Sequence, residues 1–270
     1  MFTILFPTDF SQPAAHALEY AVALAEKIGG KLLLLHAVPI PLQDPNTFFK
    51  ASEVYSKDEA KVKLEGLQRQ VAARVPCEAV LKVGYSVTEA TDLMKQSTVD
   101  LVVIGTRGAG STPDPLVGST TAVLIEKSPR PVLVIPAAAA FVAPQRIVLA
   151  ADLRETNRTT LEPLVAFSRL LRAEVLVVNV ATREGRLPEE KSVAALQLED
   201  YLGEVPSSLH VVVHDDVAEG IENFVLEKRA QLLVLVARKH GFFASLFHDS
   251  VTRKMALHAQ VPLLALTEGE

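Results

Sequence analysis

The stretch GTRGAGSTPDPLVGSTT, Gly105 to Thr121, follows the apolar run Leu101–Ile104 and gathers glycine and hydroxyl residues into one connection. Gly105 and Gly108 let main chain pass close to a ligand and take left-handed conformations without penalty. Gly118, Ser119, Thr120 and Thr121 then open a helical pattern. Free N–H groups at a helix start, with hydroxyls beside them, form an anion site. Phosphate suits such a site even in an acidic protein, because the attraction is local. The blander alternative is an unusual loop followed by a capped helix. The stretch contains no G-K-[ST], so it is not the P-loop of ATPases and GTPases, and no lysine is set to reach terminal phosphates. A dinucleotide fingerprint would belong after the first strand, where the chain has Pro7-Thr8-Asp9 instead. The Asp9 carboxylate is either an acceptor for a ribose hydroxyl or base amine, or a turn residue that caps the next helix.

Other reactive side chains point to less. His210 and His214 share a strand face but stand roughly 13 Å apart at about 3.3 Å per residue, too far for one metal ion. His240, His248 and His258 lack short ligand spacing. The lone Cys77 excludes an intrachain disulfide and a multi-cysteine metal site, and it reads as a small buried hydrophobe rather than a reactive thiol. No Ser–His–Asp order, carboxylate pair at a strand end or cofactor lysine stands out, so no catalytic residue is assigned.

The elements that would position these residues form an α/β pattern. Strands are expected near Thr3–Phe6, Lys31–Ala37, Glu78–Val83, Leu101–Ile104 and Val132–Ile135. Helices are expected near Pro13–Ile28, Ser52–Ala73, Thr88–Gln96 and Ser119–Lys127. In the first helix Ala17, Tyr20, Ala21, Leu24 and Ile28 recur at helical spacing, Ser11 can cap the start, and Gly29-Gly30 stops it. Continuous rather than alternating apolar strands imply burial on both faces, hence a mostly parallel, doubly wound sheet with helices on each side. In such sheets ligands sit beyond the carboxyl ends of the strands, where the strand order reverses. The glycine-rich stretch lies at one such end.

The pattern occurs twice. Thr3–Val38 reads like Arg146–Val180, with Asp9 falling on Asp152 and Val38 on Val180 across a one-residue slip. DLVVIG (100–105) matches QLLVLVA (231–237), and RPVLVIP (130–136) matches VPLLALT (261–267). A repeat of half the chain means two copies of one domain, since solenoid repeats are far shorter. The domains are read as 1–138 and 144–270, joined through the small, proline-bounded Pro136–Gln145.

The 270 residues suffice for two ordinary cores, and 49% apolar with 22% charged residues is ordinary globular composition. A net charge of −5 gives no general attraction to nucleic acid or anionic membrane. The start MFTILFPTDFS has no basic n-region, and no run approaches the roughly 18 apolar residues of a membrane span. A soluble, cytoplasmic protein is expected.

Gly105-x2-Gly108-x9-Gly118-Ser119, with PTDFS after the first strand and HAV (His36 to Val38) ending the second, resembles the ATP-binding class of universal stress proteins. The resemblance covers the chain as a tandem pair of such domains. It implies a Rossmann-like, adenine nucleotide alpha hydrolase-like fold, five strands per domain, and fifth strand packed against fifth strand inside one chain. It also implies that Thr8, Asp9 and Val38 hold the adenosine end of ATP. Gly105, Gly108, Gly118, Ser119, Thr120 and Thr121 would then hold ribose and phosphates, with Mg²⁺ as the accompanying ion. Pro113 and Pro115 depart from the family by stiffening the middle of the loop. At the matching positions the second half has Ala237, His240, Ser250 and Val251, and Phe242, Phe243 and Phe247 add rings to the same loop. One nucleotide site per chain is expected, the second being closed by side chains. Arg238, Lys239, Arg253 and Lys254 read as a solvated face or, alternatively, a remodelled anion site. The leading function is therefore nucleotide binding for stress response or signalling with little or no hydrolysis. The alternative is a scaffold that binds no nucleotide and acts through a protein partner. A homodimer beyond the intrachain pair is left open.

Overall fold

The computed structural model describes residues 1–39, 56–96, 98–106, 119–151, 157–181, 189–237 and 261–267. In the first half the strands are β1 (Thr3–Pro7), β2 (Lys31–Val38), β3 (Cys77–Val83), β4 (Leu101–Gly105) and β5 (Val132–Ile135). Between them run α1 (Gln12–Ile28), α2 (Lys57–Ala72), α3 (Ser86–Gln96) and α4 (Ser119–Lys127). The second half repeats the order with β6 (Arg146–Ala150), α5 (Arg158–Leu171), β7 (Glu174–Ala181), α6 (Glu189–Leu202) and β8 (Ser207–Val213). It continues through α7 (Val217–Glu227), β9 (Leu232–Ala237) and β10 (Leu263–Thr267).

Local chemistry accounts for the helix ends. Ser11 Oγ accepts from the Ala14 N–H to cap α1, and Gly29 closes it at φ 66°. The second helix begins later than its apolar pattern implies, because Ser56 and Glu59 form a reciprocal capping box that fixes the start at Lys57. Residues 52–55 of the expected helix lie outside the described residues.

All ten strands join one sheet in the order β3-β2-β1-β4-β5-β10-β9-β6-β7-β8. Pairing is parallel within each half. Only β5 and β10 run antiparallel, with Leu133 opposite Leu264 between the pairs Val134–Leu263 and Val132–Ala265. This is the fifth-strand junction the resemblance implied. The inner strands are buried on both faces, as their unbroken apolar runs require. Leu24, Leu34, Val103, Leu149 and Phe167 belong to one core; Leu35, Met94, Val102, Leu233 and Phe224 belong to the other.

The strand registers correct the repeat alignment. Thr3 pairs with Lys31 and Arg146 with Glu174, so no slip separates the halves. Val38 O accepts from Gly84 N and Ala181 O from His214 N. The counterpart of Val38 is therefore Ala181, not Val180. Both connecting helices end on a left-handed residue, Gly29 at φ 66° and Arg172 at φ 57°, so glycine in one and arginine in the other leave the spacing unchanged. The join between halves is packed rather than loose. Ala139 is buried, and its carbonyl accepts from His16 Nε2 at 2.9 Å. The Phe141 ring meets Tyr20 edge-on at 5.0 Å.

Candidate functional site: the first-half crevice

The strand order reverses between β1 and β4, the two strands that connect to opposite sides of the first half. They pair directly, Ile4 with Leu101 and Leu5 with Val102. Continuing that register sets Thr8 level with Gly105 at the carboxyl ends. A crevice at such a reversal is where doubly wound sheets take ligands.

One wall is the turn after β1. Thr8 N donates to Leu35 O at 2.8 Å, anchoring the turn to β2. Thr8 Oγ1 accepts from Phe10 N at 3.1 Å, and Asp9 Oδ1 accepts from Ser11 N at 3.0 Å. Phe10 adopts φ 61°, which turns the chain sharply into α1. One carboxylate oxygen of Asp9 thus serves the turn, as the capping alternative held, while the residue remains exposed at the rim. Both readings of Asp9 survive, because a carboxylate accepts several hydrogen bonds.

Beneath the turn lies His36, buried in β2 among leucines. Its Nδ1 stands 2.7 Å from Thr8 O, and since a carbonyl only accepts, Nδ1 carries the proton. The Phe10 ring lies 4.3 Å from the imidazole at 30°. Burial pushes the His36 pKa below the ordinary histidine range, against the Thr8 carbonyl and the Asp9 charge, which pull it upward. At neutral pH the ring is an uncharged strut holding the turn. The second half builds the same strut with a different side chain: Asn179 Nδ2 donates to Ala151 O at 2.9 Å. A polar residue at the same repeat position, in the apolar strands KLLLLHAV and EVLVVNVA, is the signal that could have assigned His36 this role.

The other wall is the end of β4. Gly105 is its buried last residue, and its carbonyl accepts from Thr121 Oγ1 at 2.9 Å. Thr121 is itself buried. Its hydroxyl proton therefore ties the first turn of α4 to β4 and holds the helix start against the crevice. Thr120, beside it, is exposed, and Val38 is buried at the end of β2. Ser119 begins α4. Gly108, Gly118 and the rest of 107–118 lie outside the described residues.

The equivalent crevice of the second half, between β6 and β9, differs in what is described of it. Ile147 pairs with Leu232, as Ile4 does with Leu101, so the counterpart of Gly105 is Val236 rather than Ala237. Val236 is buried in the core under α5. An isopropyl group thus stands where the first half has bare backbone, and Ala151 replaces the Thr8 hydroxyl. Asp152, His240, Ser250, Val251, the three loop phenylalanines and the basic residues Arg238, Lys239, Arg253 and Lys254 lie outside the described residues. So do His248 and His258.

Among the described residues no cluster of three metal-ligating side chains is present, and no helix is long and apolar enough to cross a membrane. His210 pairs with Ser208 Oγ at 2.9 Å, whereas His214 falls past the end of β8 and so does not share its face. Cys77 is half-buried against the core, and burial, aided by the Glu78 charge, raises its thiol pKa to about 11. It behaves as packing, not as a nucleophile.

Two doubly wound α/β units, each with a crevice at its strand reversal and fused through their fifth strands, define a tandem-domain protein of the Rossmann-like class. Residues 1–136 and 144–267 both match the universal stress protein family, and the chain belongs to that family. A universal stress protein of Methanocaldococcus jannaschii is 27% identical over an alignment of 150 positions that covers 49% of this chain and 93% of the relative. One from Thermus aquaticus is 31% identical over an alignment of 143 positions that covers 49% of this chain and 97% of that protein. The crystal structure of a universal stress protein from Archaeoglobus fulgidus shares the tandem fold. It has a TM-score of 0.75 and 18% identity, covering 99% of this chain and 98% of that one. Some members of the family bind ATP.

Proposed function

We propose that this universal stress protein binds ATP, or a closely related adenine nucleotide, in its first-half crevice and uses it for stress response or signalling. What supports the reading is the meeting of Thr8-Asp9 with Gly105 at the strand reversal, in a half whose sequence continues as Gly108-x9-Gly118-Ser119. Asp9 accepts from ribose or base, and Val38 borders the adenine. The α4 start, with Ser119 and Thr120, faces the phosphates, and Thr121 holds that helix in place. Mg²⁺ accompanies the phosphates. The stretch Gly105–Thr121 carries no lysine to reach a terminal phosphate, so slow or absent hydrolysis is the expected outcome. Nucleotide acts by ordering the surface it touches, shifting which partner the protein accepts.

Val236 in place of Gly105 makes one site per chain the expected stoichiometry. At about 100 times its dissociation constant, ATP adds about 2.7 kcal/mol of stability. For a 270-residue chain that raises the thermal midpoint by about 5 °C. Gly118→Asp removes the shift by placing a like charge at the helix start. An unchanged wild-type midpoint, with no calorimetric titration signal, would favour the scaffold that works through a protein partner alone.

A further inference from the structure

The sheet ends on each side in a strand with a single neighbour, β3 beside β2 and β8 beside β7. An open strand edge offers N–H and C=O groups to another chain. The bonds between β2 and β3 show which groups are left. Leu32 N donates to Pro76 O at 2.9 Å, and Gly84 N donates to Val38 O at 2.9 Å. In a parallel pair every second residue turns both its groups to the neighbour, so the even-numbered residues of β3 serve β2. Ala79 and Leu81 turn theirs outward, where no hydrogen bond meets them among the described residues. The Cys77 carbonyl, outward as well, accepts from Gln68 Nε2 at 3.1 Å, so the open stretch begins at Ala79.

The side chains alternate too. Ala79 and Leu81 pack against the core that holds Leu64, and Val80 against the one that holds Met94. Period-two alternation puts Glu78 and Lys82 on the face of Val80, evenly spaced about it. The Glu78 side chain is 66% exposed although it meets Lys31 Nζ at 2.9 Å, and Lys82 forms no ion pair among the described residues.

Two copies of such a strand are complementary in one register. Antiparallel pairing centred on Val80 lets Ala79 and Leu81 of opposite copies exchange N–H···O=C bonds. It sets each Glu78 against the other copy's Lys82 in the closely spaced, non-hydrogen-bonded positions. A slip of two residues either way puts Val80 opposite one charge and leaves both without a cross-strand partner. The edge strand β8 offers no such match, since the strand registers give Ser208 for Glu78 and Val212 for Lys82.

We propose that β3 is a docking edge for a second copy of this chain, joined antiparallel about Val80 through reciprocal Glu78–Lys82 pairs. The same patch serves both partners, so the assembly closes as a two-fold dimer rather than growing into a filament. One sheet then runs through both molecules, as β5 and β10 already carry it through both halves of one.

Sedimentation of the full chain over a concentration series is the test. Wild type should form a reversible dimer that weakens as salt rises, because exposed ion pairs are screened. Lys82→Glu sets carboxylate against carboxylate, and Glu78→Lys sets ammonium against ammonium. Each alone should weaken the dimer at least about tenfold. Mixed together, the two variants should form a heterodimer of about wild-type strength, because each supplies the charge the other lacks. Neither side chain is buried, so both variants should keep the wild-type thermal midpoint to within about 1 °C. A wild-type monomer up to about 0.5 mM overturns the proposal. So does a dimer that both single variants keep at full strength, or that mixing fails to restore. Ala79 and Leu81 amides already protected from hydrogen exchange in the dilute monomer would assign the edge to the chain's own residues, and would overturn it as well.

Discussion

The strut beneath the Thr8–Asp9 turn offers a test with two separable readouts. His36→Leu roughly preserves the buried bulk but deletes the N–H that meets Thr8 O at 2.7 Å. A buried carbonyl stripped of its partner costs about 1–3 kcal/mol. Unfolding entropy of about 2.1 cal/mol/K per residue, over 270 residues, converts this to a midpoint lowered by about 2–5 °C. His36→Asn copies the Asn179 strut of the second half and should recover most of the loss at pH 8. The pH dependence separates the variants further. The folded His36 pKa lies below its unfolded value near 6.5. Over that window the unfolded chain binds a proton that the native ring does not, so stability is complete above about pH 6.5 and drains away as pH falls through the folded pKa. His36→Asn removes this site's contribution, and its chemical-denaturation stability should fall less than wild type on acidification from pH 8 to 5. Equal acid sensitivity, or a His36→Leu protein as stable as wild type, would refute the strut.

Further expectations concern other positions. Ser168 is buried with an unpaired hydroxyl where the first half has Ala25, so Ser168→Ala should raise stability by about 1 kcal/mol in urea unfolding. Leu133, fully buried at the centre of the β5–β10 ladder, should cost about 2–5 kcal/mol on truncation to alanine, read from the denaturant midpoint. Asp9→Asn retains the acceptor for Ser11 N, so the midpoint should move by no more than about 1 °C, whereas calorimetric ATP affinity should fall. The Cys77 thiol, with its pKa raised to about 11, should react with a disulfide reagent at pH 8 about 100-fold more slowly than an unperturbed cysteine.

Much of the architecture could be read from residues, because buried parallel strands leave a strong mark. Runs such as LVVI and VLVI are apolar on every residue only when both faces are covered, and the repeat of that pattern revealed two domains. The misreadings were local. Chain spacing between β6 and β7 was obscured because Arg172 holds the left-handed conformation that Gly29 signals in the first half. The start of α2 was missed because the Ser56–Glu59 capping box lies inside a helical-looking run. At the site, glycine spacing and PTDFS marked the right strand ends. Spacing alone could not show that the Thr121 hydroxyl turns inward to Gly105, or that His36 supports the turn. Both depend on contacts between segments far apart in sequence.

The antiparallel β5–β10 seam also bears on how the two halves can diverge. In an assembly of identical subunits every substitution is made twice, and a change that spoils one site spoils its mate. Once both copies are written into a single polypeptide, either can drift while the other keeps its chemistry. A valine at 236 where the first half has Gly105, and an asparagine strut at 179 where it has His36, are the kinds of inequality that a covalently joined pair can retain.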